Sequence, residues 1–379
     1  VTAMAPTELI RAILCAPVDL VWNGGIGTYV KAASETHAQV GDKANDPVRV
    51  NGGELRAQAV GEGGNLGFTQ LGRIEYAKSG GRINTDFIDN SAGVDTSDHE
   101  VNIKILLAQE VADGRLSAEN RAELLASMTA EVAELVLANN YDQNLALANG
   151  LAQAVSVAPV HERWMCVLEE AGLLDRDLEN LPTSAEMEHR IHNGEGLTAP
   201  EMATLLAYTK IHLENEVIAS DLPDDPYFAD RLARYFPPRL RESHSDIMRG
   251  HRLQREIIAT VTVNRFVNSS GITSYYRLND ELGASPVEVV RAHLAARAIF
   301  RLGLHEEQTA ALDNKIPADV QTSMRIQFRN LVERGTRWVL ANRRSPIDVG
   351  TVVEELADDV ARIKDCLLYT SDAADDSLR

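Results

Sequence analysis

Cysteine is scarce: only Cys15, Cys166 and Cys366 occur, far apart and never as Cys-x-x-Cys. That excludes a disulfide framework and a cysteine-rich zinc site, and it fits a reducing, cytoplasmic location. No run approaches the roughly 18 consecutive apolar residues that a transmembrane helix needs, so no membrane span is expected. The N-terminus lacks a basic stretch followed by an apolar core, so no signal peptide is expected, and the sequon Asn268-Ser-Ser270 is read as chance. Positive charge is also in deficit. Against 56 Asp and Glu there are 37 Lys and Arg, a net charge of −19. Binding to a phosphate backbone depends on clustered cations, so a general nucleic-acid binder is excluded. A self-repelling surface is expected instead.

Several chemical signatures are missing too. A complete Gly-x-Gly-x-x-Gly is absent: Gly61-Glu-Gly63 lacks the third glycine at the right step, and no acidic residue roughly 20 positions on ends a strand. The stretch Gly67-Phe-Thr-Gln-Leu-Gly72 is a near miss to a P-loop, but no Lys followed by Ser or Thr comes after it. His189 and His192 sit three apart, and His212, His244 and His251 are scattered, so no zinc ligand set forms. Ser97 has no Gly-x-Ser-x-Gly around it, which removes a nucleophilic serine. The basic stretch Arg249 to Arg255 reads as a solvated helix face or an ion-pair row, with anion binding as the alternative.

What is present is ordinary in bulk: 44% hydrophobic and 25% charged residues over 379 positions, enough for two or three domains. Residues 7 to 15 read as a short helix. After Pro17, the apolar run Val18 to Trp22 reads as a buried strand. Asn23-Gly-Gly-Ile-Gly27 is a tight loop, with helix expected over Tyr29 to Gln39. Asn51-Gly-Gly53 signals a hairpin or turn between two small extended pieces. Thr69 to Lys78 is helical and ends at Gly80-Gly81, and Arg82 to Ile88 is a further extended piece. Strand, glycine loop and helix, given twice, is the grammar of an α/β parallel sheet. After residue 100 the composition changes, and to about Ile363 Leu, Ala, Glu and Arg recur at helical spacing. Ser117 reads as a helix cap and Thr198-Ala-Pro-Glu201 as a capping box. Asp221 to Pro226, Pro237-Pro238 and Asn268 to Gly271 read as inter-helix turns.

Two Asn-bearing, glycine-dense turns stand out: Gly61-Glu-Gly-Gly-Asn65 and Asn90-Ser-Ala-Gly-Val94. Glycine lets backbone approach a ligand closely, and an Asn amide offers both donor and acceptor, which suits a ribose or a carboxamide. Each turn is also explicable as a plain strand-to-helix connection with Asn as a capping residue. Asp89, Asp95, Asp98 and Glu100 around the second turn could bind metal or act as acid and base, but acids at the start of a helix expected near Ser97 explain them as well. His99 is weighed between a catalytic base and a polar residue beside that helix start.

These stretches carry a resemblance. Val18-Asp-Leu-Val-Trp-Asn-Gly-Gly-Ile-Gly-Thr-Tyr-Val30, Gly61 to Gly67, Gly81-Arg-Ile-Asn-Thr-Asp86 and Asp89 to Glu100 resemble the large bacterial NAD-dependent glutamate dehydrogenases. The likeness continues through Leu197 to Glu201, Ala219 to Pro226 and His251 to Ile258, covering roughly residues 5 to 365. It implies the second half of a Rossmann-like cofactor domain over 1–105, followed by a helical domain over 106–365 for assembly or regulation. It implies NAD as cofactor, L-glutamate and 2-oxoglutarate as substrate and product, and a homo-oligomeric full-length enzyme. Hydride transfer to NAD and hydrolysis of an iminium would be the chemistry.

Residue by residue, Glu62-Gly63-Gly64-Asn65 is similar to the family's Glu-Gly-Ala-Asn turn, and Asn90-Ser-Ala92-Gly93-Val94 to its Asn-Ala-Gly-Gly-Val, each placing an Asn beside the cofactor. Asn23 and Gly24 fall at the strand end facing the nicotinamide, where other members carry Pro-Ala. Ser97 falls where the family places a serine that binds the side-chain carboxylate of glutamate. No Lys or Asp here matches the family's catalytic pair, and no metal ligand is assigned. The chain is therefore expected to be a piece of a longer enzyme, inactive alone, with residues 366–379 read as a non-native tail. Two rivals stand beside this: a stand-alone helical interaction or regulatory module with a vestigial α/β cap, and a different amino-acid dehydrogenase.

Overall fold

The computed structural model describes the backbone of residues 3–376 and the side chains of residues 3–363. The α/β part opens with α1 (Pro6–Leu14) and β1 (Leu20–Asn23), then β2 (Val30–Lys31), α2 (His37–Val40), β3 (Val50–Asn51) and β4 (Ala59–Glu62). After α3 (Gln70–Lys78) and α4 (Asp86–Asp89), helix follows helix. These are α5 (Ser91–Ala112), α6 (Ala118–Ser127), α7 (Thr129–Leu151), α8 (Ala154–Glu170), α9 (Arg176–Glu179), α10 (Ser184–His192) and α11 (Ala199–Ile218). The remainder runs through α12 (Ala229–Tyr235), α13 (Pro238–Ser243), α14 (Ser245–Met248), α15 (Gln254–Ser270), α16 (Ser274–Leu282), α17 (Pro286–Ile299), α18 (Leu302–Ala310), α19 (Ala318–Asn342) and α20 (Val349–Asp376). The chain divides into two compact units, Val1–Thr209 with Leu232–Gln254, and Lys210–Arg231 with Arg255–Arg379.

The strands are few, short and parallel. β1 pairs with β4 in the register Leu20↔Ala59 to Asn23↔Glu62, and a parallel bridge joins Ala59 to Arg82. β2 pairs with β3, and Val30 also bridges Phe68. The buried side chains of Val30, Val50, Leu55, Val60, Phe68, Tyr76 and Ile83 pack into one core between the strands and α3. Tyr76 donates from its hydroxyl to the Ala57 carbonyl at 2.7 Å, so its polar end is satisfied inside that core.

Helix boundaries follow their caps. Thr69 Oγ1 accepts from Gly72 N at 3.0 Å to start α3, and Ser117 accepts from Asn120 N at 3.1 Å to start α6. The Thr198 N–H and hydroxyl both reach Glu201 at 2.7 Å, the second half of the expected box at the head of α11. Among the described residues no helix is long and apolar enough to cross a membrane.

Several expectations need correction. The run Val18 to Trp22 does form a strand, but it is not buried: Leu20 is 55% and Trp22 61% exposed. Its side chains alternate, with Val21 and Asn23 the more enclosed, so an unbroken apolar run concealed a two-faced strand. Tyr29 to Gln39 is not one helix. The Val30 N–H donates to Gly67 O and its carbonyl accepts from Thr69 N, which commits this backbone to a strand ladder. Of the hairpin or turn expected at Asn51-Gly-Gly53, the turn is what forms: Gly52–Glu54 is a 3₁₀ turn, and β3 and β4 belong to different pairs. Extended chain over Arg82 to Ile88 ends at Thr85, where α4 begins. The helix placed near Ser97 begins at Ser91. At the other end, α20 runs on to Asp376, so the loss of apolar pattern after Asp365 does not stop the helix. The side chains of that tail, including Cys366, and residues 377–379 lie outside the described residues.

Candidate functional site

β1 and β4 lie side by side and end together at Asn23 and Glu62, each running into a glycine-rich turn. The Asn23 carbonyl accepts from both Gly63 N (2.8 Å) and Gly64 N (3.1 Å), so the first turn is tied to the neighbouring strand end. The Asn23 side chain accepts from Gly25 N at 3.4 Å, while its Nδ2 is buried with no hydrogen-bond partner. Room for that amide exists because residue 67 is glycine: a Cβ there would stand 1.6 Å from Asn23 Nδ2. Leu66 takes a left-handed φ of 58°, uncommon for a side chain of its size. Two bonds hold it there, Leu66 N to Asp86 Oδ2 at 2.8 Å and Thr28 Oγ1 to Leu66 O at 2.8 Å.

Beneath the turn sits a buried charge network. Arg73 grips Glu62 with Nε at 2.7 Å and Nη2 at 2.9 Å, and it reaches Asp86 at 3.2 Å. Glu62 is fully buried and also accepts from Phe68 N at 3.2 Å. The Glu62 N–H donates to Asp89 at 3.0 Å, and Asn84 Nδ2 donates to the other Asp89 oxygen at 3.1 Å. Burial pushes the Glu62 carboxyl above the usual carboxylate range, with the Arg73 guanidinium pulling against it. Burial likewise raises Asp89, opposed by the Glu62 N–H and the Asn84 amide. The bidentate geometry on Arg73 is the arrangement in which a buried carboxylate stays paired.

The second turn meets the first directly. Asn90, at the C-terminus of α4, donates from Nδ2 to Asn65 Oδ1 at 2.6 Å across 25 residues of chain. That bond uses one donor of Asn90 and one acceptor of Asn65. The Asn65 amide donors and the Asn90 carbonyl then stand at the surface, a donor and an acceptor side by side. Ala92 and Gly93 form the first turn of α5, where a Cβ on Gly93 would meet nothing within 4 Å. Ser97 lies one turn further on, exposed, with its Oγ donating to the Gly93 carbonyl at 3.3 Å. It sits inside a helix rather than at a helix start, so its backbone N–H is not one of the free amides of a first turn. Gly24 is exposed on the β1 side. Among the described residues, no hydrogen bond joins Asn23 or Gly24 to Ala92, Gly93 or Ser97.

Two features escaped the sequence reading. Trp22 packs against Gly61 of β4 and Gly63 just beyond it: a Cβ on Gly63 would be 2.7 Å from its indole Nε1, and one on Gly61 would be 2.5 Å from its ring. It is a large exposed aromatic at the lip of the site, and its place in an apolar run concealed it. The other is α7. Asn140 Nδ2 donates to Ile88 O (2.8 Å) and Ser91 Oγ (2.9 Å), Asn144 Oδ1 accepts from Asn84 (2.8 Å), and Asn139 reaches Asp95 (2.8 Å). The available signal was the density of amides in Asn139-Asn-Tyr-Asp-Gln-Asn144, which a helix does not need for itself.

The remaining candidates serve packing. His99 is buried and stacks on Tyr235 at 4.2 Å, and burial lowers its pKa. Glu100 pairs with Lys104 along the helix surface. Among the described residues no three His, Cys, Asp or Glu groups are placed to hold a metal ion. Arg255, the end of the basic stretch, pairs with Asp224 and donates to the carbonyls of Ile218 and Ser220 at 2.9 Å.

The site fits a nucleotide cofactor on three observations of its own: the unpartnered Asn23 amide, the joined Asn65 and Asn90 amides, and the open first turn of α5. Comparison with known proteins gives the family. Residues 1–150 match the family described as bacterial NAD-glutamate dehydrogenase, catalytic domain, and residues 194–375 match glutamate dehydrogenase, C-terminal. A Mycobacterium tuberculosis protein named NAD-specific glutamate dehydrogenase is 49% identical over 354 residues, 93% of this chain and 22% of its own length. Proteins of the same name are 50% identical in Halomonas elongata (90% of this chain, 21% of theirs) and 48% identical in Pseudomonas aeruginosa (95% and 22%). The chain thus spans about a fifth of the length of the curated relatives it matches.

Proposed function

We propose that this chain, which belongs to the bacterial NAD-glutamate dehydrogenase family, supplies one wall of the nicotinamide site in an enzyme that converts L-glutamate, NAD and water to 2-oxoglutarate, ammonia and NADH. The observation that carries this reading is the Asn65–Asn90 hydrogen bond, which joins the glycine turn at the carboxyl end of β4 to the junction of α4 and α5. Ligands of open α/β sheets bind at that edge. NAD, when bound, accepts the hydride; the residues here bind and orient. The Asn65 donor and the Asn90 acceptor suit a ribose hydroxyl or carboxamide, and the free Asn23 Nδ2 supplies a further donor. Holding the nicotinamide at a fixed angle and distance is the protein's main contribution to such a transfer.

In this reading residues 1–105 contribute a Rossmann-like half-domain, and the helices of 106–365 serve assembly or regulation. Ser97, exposed one turn beyond Gly93, hydrogen-bonds the side-chain carboxylate of glutamate. No Lys or Asp of the chain takes the family's catalytic roles, so the purified 379-residue chain is expected to produce no NADH from glutamate. An absorbance assay at saturating NAD and glutamate checks this, and sustained turnover would overturn it.

In the full-length enzyme, Asn90→Ala is expected to raise the KM for NAD about fivefold, the value of one neutral hydrogen bond near 1 kcal/mol. An unchanged NAD KM would remove the joined turns from the cofactor site. Ser97→Ala is expected to raise the KM for glutamate, since a hydrogen bond to a charged group is worth roughly 1.5–3 kcal/mol. If only kcat moved, Ser97 would not be the carboxylate ligand.

A further inference from the structure

The C-terminal half of α5 lines a cavity that the dehydrogenase reading does not use. It measures about 530 Å³ and lies within the first unit, between α5 and the loop 249–253 that follows α14. Ile105, Leu106, Ala108 and Ala112 give it an apolar wall. Positions 105, 108 and 112 are three and four residues apart, so they share one face of the helix. Gln109 and Arg252 bring exposed polar side chains to the same cavity. Neither the Gln109 carboxamide nor the Arg252 guanidinium makes a hydrogen bond or ion pair with a described residue. Gly93 and Gln109 stand 16 residues apart on one continuous helix. At 1.5 Å per residue that is about 24 Å along the axis, so the cavity is separate from the glycine turns.

The loop that carries Arg252 is pinned. His251 is buried, and its Nδ1 accepts from Leu253 N at 3.1 Å. The ring hydrogen therefore sits on Nε2, which donates to the Asn102 carbonyl of α5 at 3.0 Å. Within the loop, the Gly250 and His251 N–H groups donate to the Ile247 and Met248 carbonyls, each at 3.0 Å. Gln254 N then donates to the His251 carbonyl at 3.1 Å. The Gln109 carboxamide stands over Gly250, its Oε1 3.9 Å from where a Cβ would be. A cavity between a helix and a loop bonded to it is formed in advance, so a ligand does not have to order its walls.

We propose that this cavity binds a small organic monoanion, with its carboxylate on Arg252 and its apolar body against α5. Pockets for small molecules span about 300–1,000 Å³ and combine apolar walls with a few convergent polar groups. Here one guanidinium lines the cavity, and among the described residues no acidic side chain does. The planar fork of that guanidinium matches one carboxylate in bidentate geometry. A nucleotide phosphate would set two or more negative charges against a single cation, on a chain of net charge −19. Gln109 offers a donor and an acceptor to a polar substituent of the ligand. Of the basic stretch that ends at Arg255, that last arginine is committed to Asp224, and Arg252 is the member that lines the cavity.

The test titrates the 379-residue chain with phenylbutyrate in a calorimeter at constant ionic strength. Phenylbutanol keeps the body without the charge, phenylbutylamine inverts the charge, and acetate keeps the charge without the body. Phenylbutyrate is expected to bind saturably, and each of the other three about tenfold more weakly or worse. Arg252→Gln is expected to lower the phenylbutyrate affinity about tenfold or more, because it removes hydrogen bonds to a charged group. Ala108→Leu places a larger side chain in the cavity and is expected to abolish binding. Leucine is a good helix former and both positions are exposed, so each variant is expected to keep the parent Tm. AMP, with its dianionic phosphate, is expected to bind more weakly than phenylbutyrate. The proposal is overturned if phenylbutyrate shows no saturable binding, or if either variant binds it as the parent does. It is equally overturned if phenylbutanol, phenylbutylamine or AMP binds as tightly as phenylbutyrate.

Discussion

Replacing Arg73 by methionine is expected to destabilise the unit that carries the glycine turns by about 3–5 kcal/mol, the cost of stranding one partner of a buried ion pair. Methionine keeps most of the aliphatic volume, so the loss is one of charge. Arg73 is 5% exposed and its main partner Glu62 fully buried, so neither water nor a side-chain swing can take over. With the guanidinium gone, Glu62 and Asp86 face each other's charge in a dry site, and the Glu62 carboxyl rises further above its ordinary value. The sign of the pH dependence follows. A carboxyl raised in the folded state favours folding at low pH and loses that contribution as pH climbs through the folded value. The variant's deficit is therefore largest at neutral pH and shrinks on acidification. Hydrogen exchange reads it locally at the amides of Glu62, Leu66 and Phe68, which bond to Asp89, Asp86 and Glu62. Parent-like protection of those amides at pH 7 would mean that the turn does not depend on Arg73.

Gly67→Ala is the second change with a large expected effect. The added methyl would stand 1.6 Å from Asn23 Nδ2, 2.9 Å from Asn23 Cγ and 3.2 Å from Glu62 Oε1. No rotamer adjustment of a few tenths of an ångström resolves such an overlap, so Asn23 must leave its place. Overpacking of this kind costs about 1–3 kcal/mol. In the full-length enzyme the KM for NAD is expected to rise by about tenfold or more, with the KM for glutamate moving less. A double variant, Gly67→Ala with Asn23→Ala, removes the clash and isolates the amide. Recovery of stability without recovery of NAD affinity would assign Asn23 to the cofactor. Full recovery of both would make it a space-filler.

The sequence made the turn Gly61 to Asn65 legible because glycine and asparagine favour a sharp change of direction after a strand, whereas Asn90 to Val94, read as a second such turn, is the start of α5. It made the helical remainder legible because periodic apolar residues and caps such as Ser117 and Thr198 act locally. What it obscured depends on contacts made at a distance. The two faces of β1 become distinct only when Trp22 meets Gly61 and Gly63 about 40 residues later. The start of α5 at Ser91, not near Ser97, depends on Asn140 holding Ser91 and Ile88 from another helix. Tyr29 to Gln39 has a helical composition, yet the ladder from Val30 to Gly67 and Thr69 overrides it. Arg73, in a stretch notable at first only as a failed P-loop, is the hub of the site's buried charges.

The asparagines of α7 bear on where this chain can be divided. Composition shifts near residue 100, which invites a cut between an α/β piece and a helical piece. Yet Asn139, Asn140 and Asn144 grip Asp95, Ser91, Ile88 and Asn84 from beyond that point. A transplant or truncation ending at residue 105 would carry away the loop and leave behind its clamp. The smallest portable piece with the second turn still held must extend to Asn144, so inheritance of this segment, by recombination or by engineering, runs through a helix that lies well beyond it in the chain.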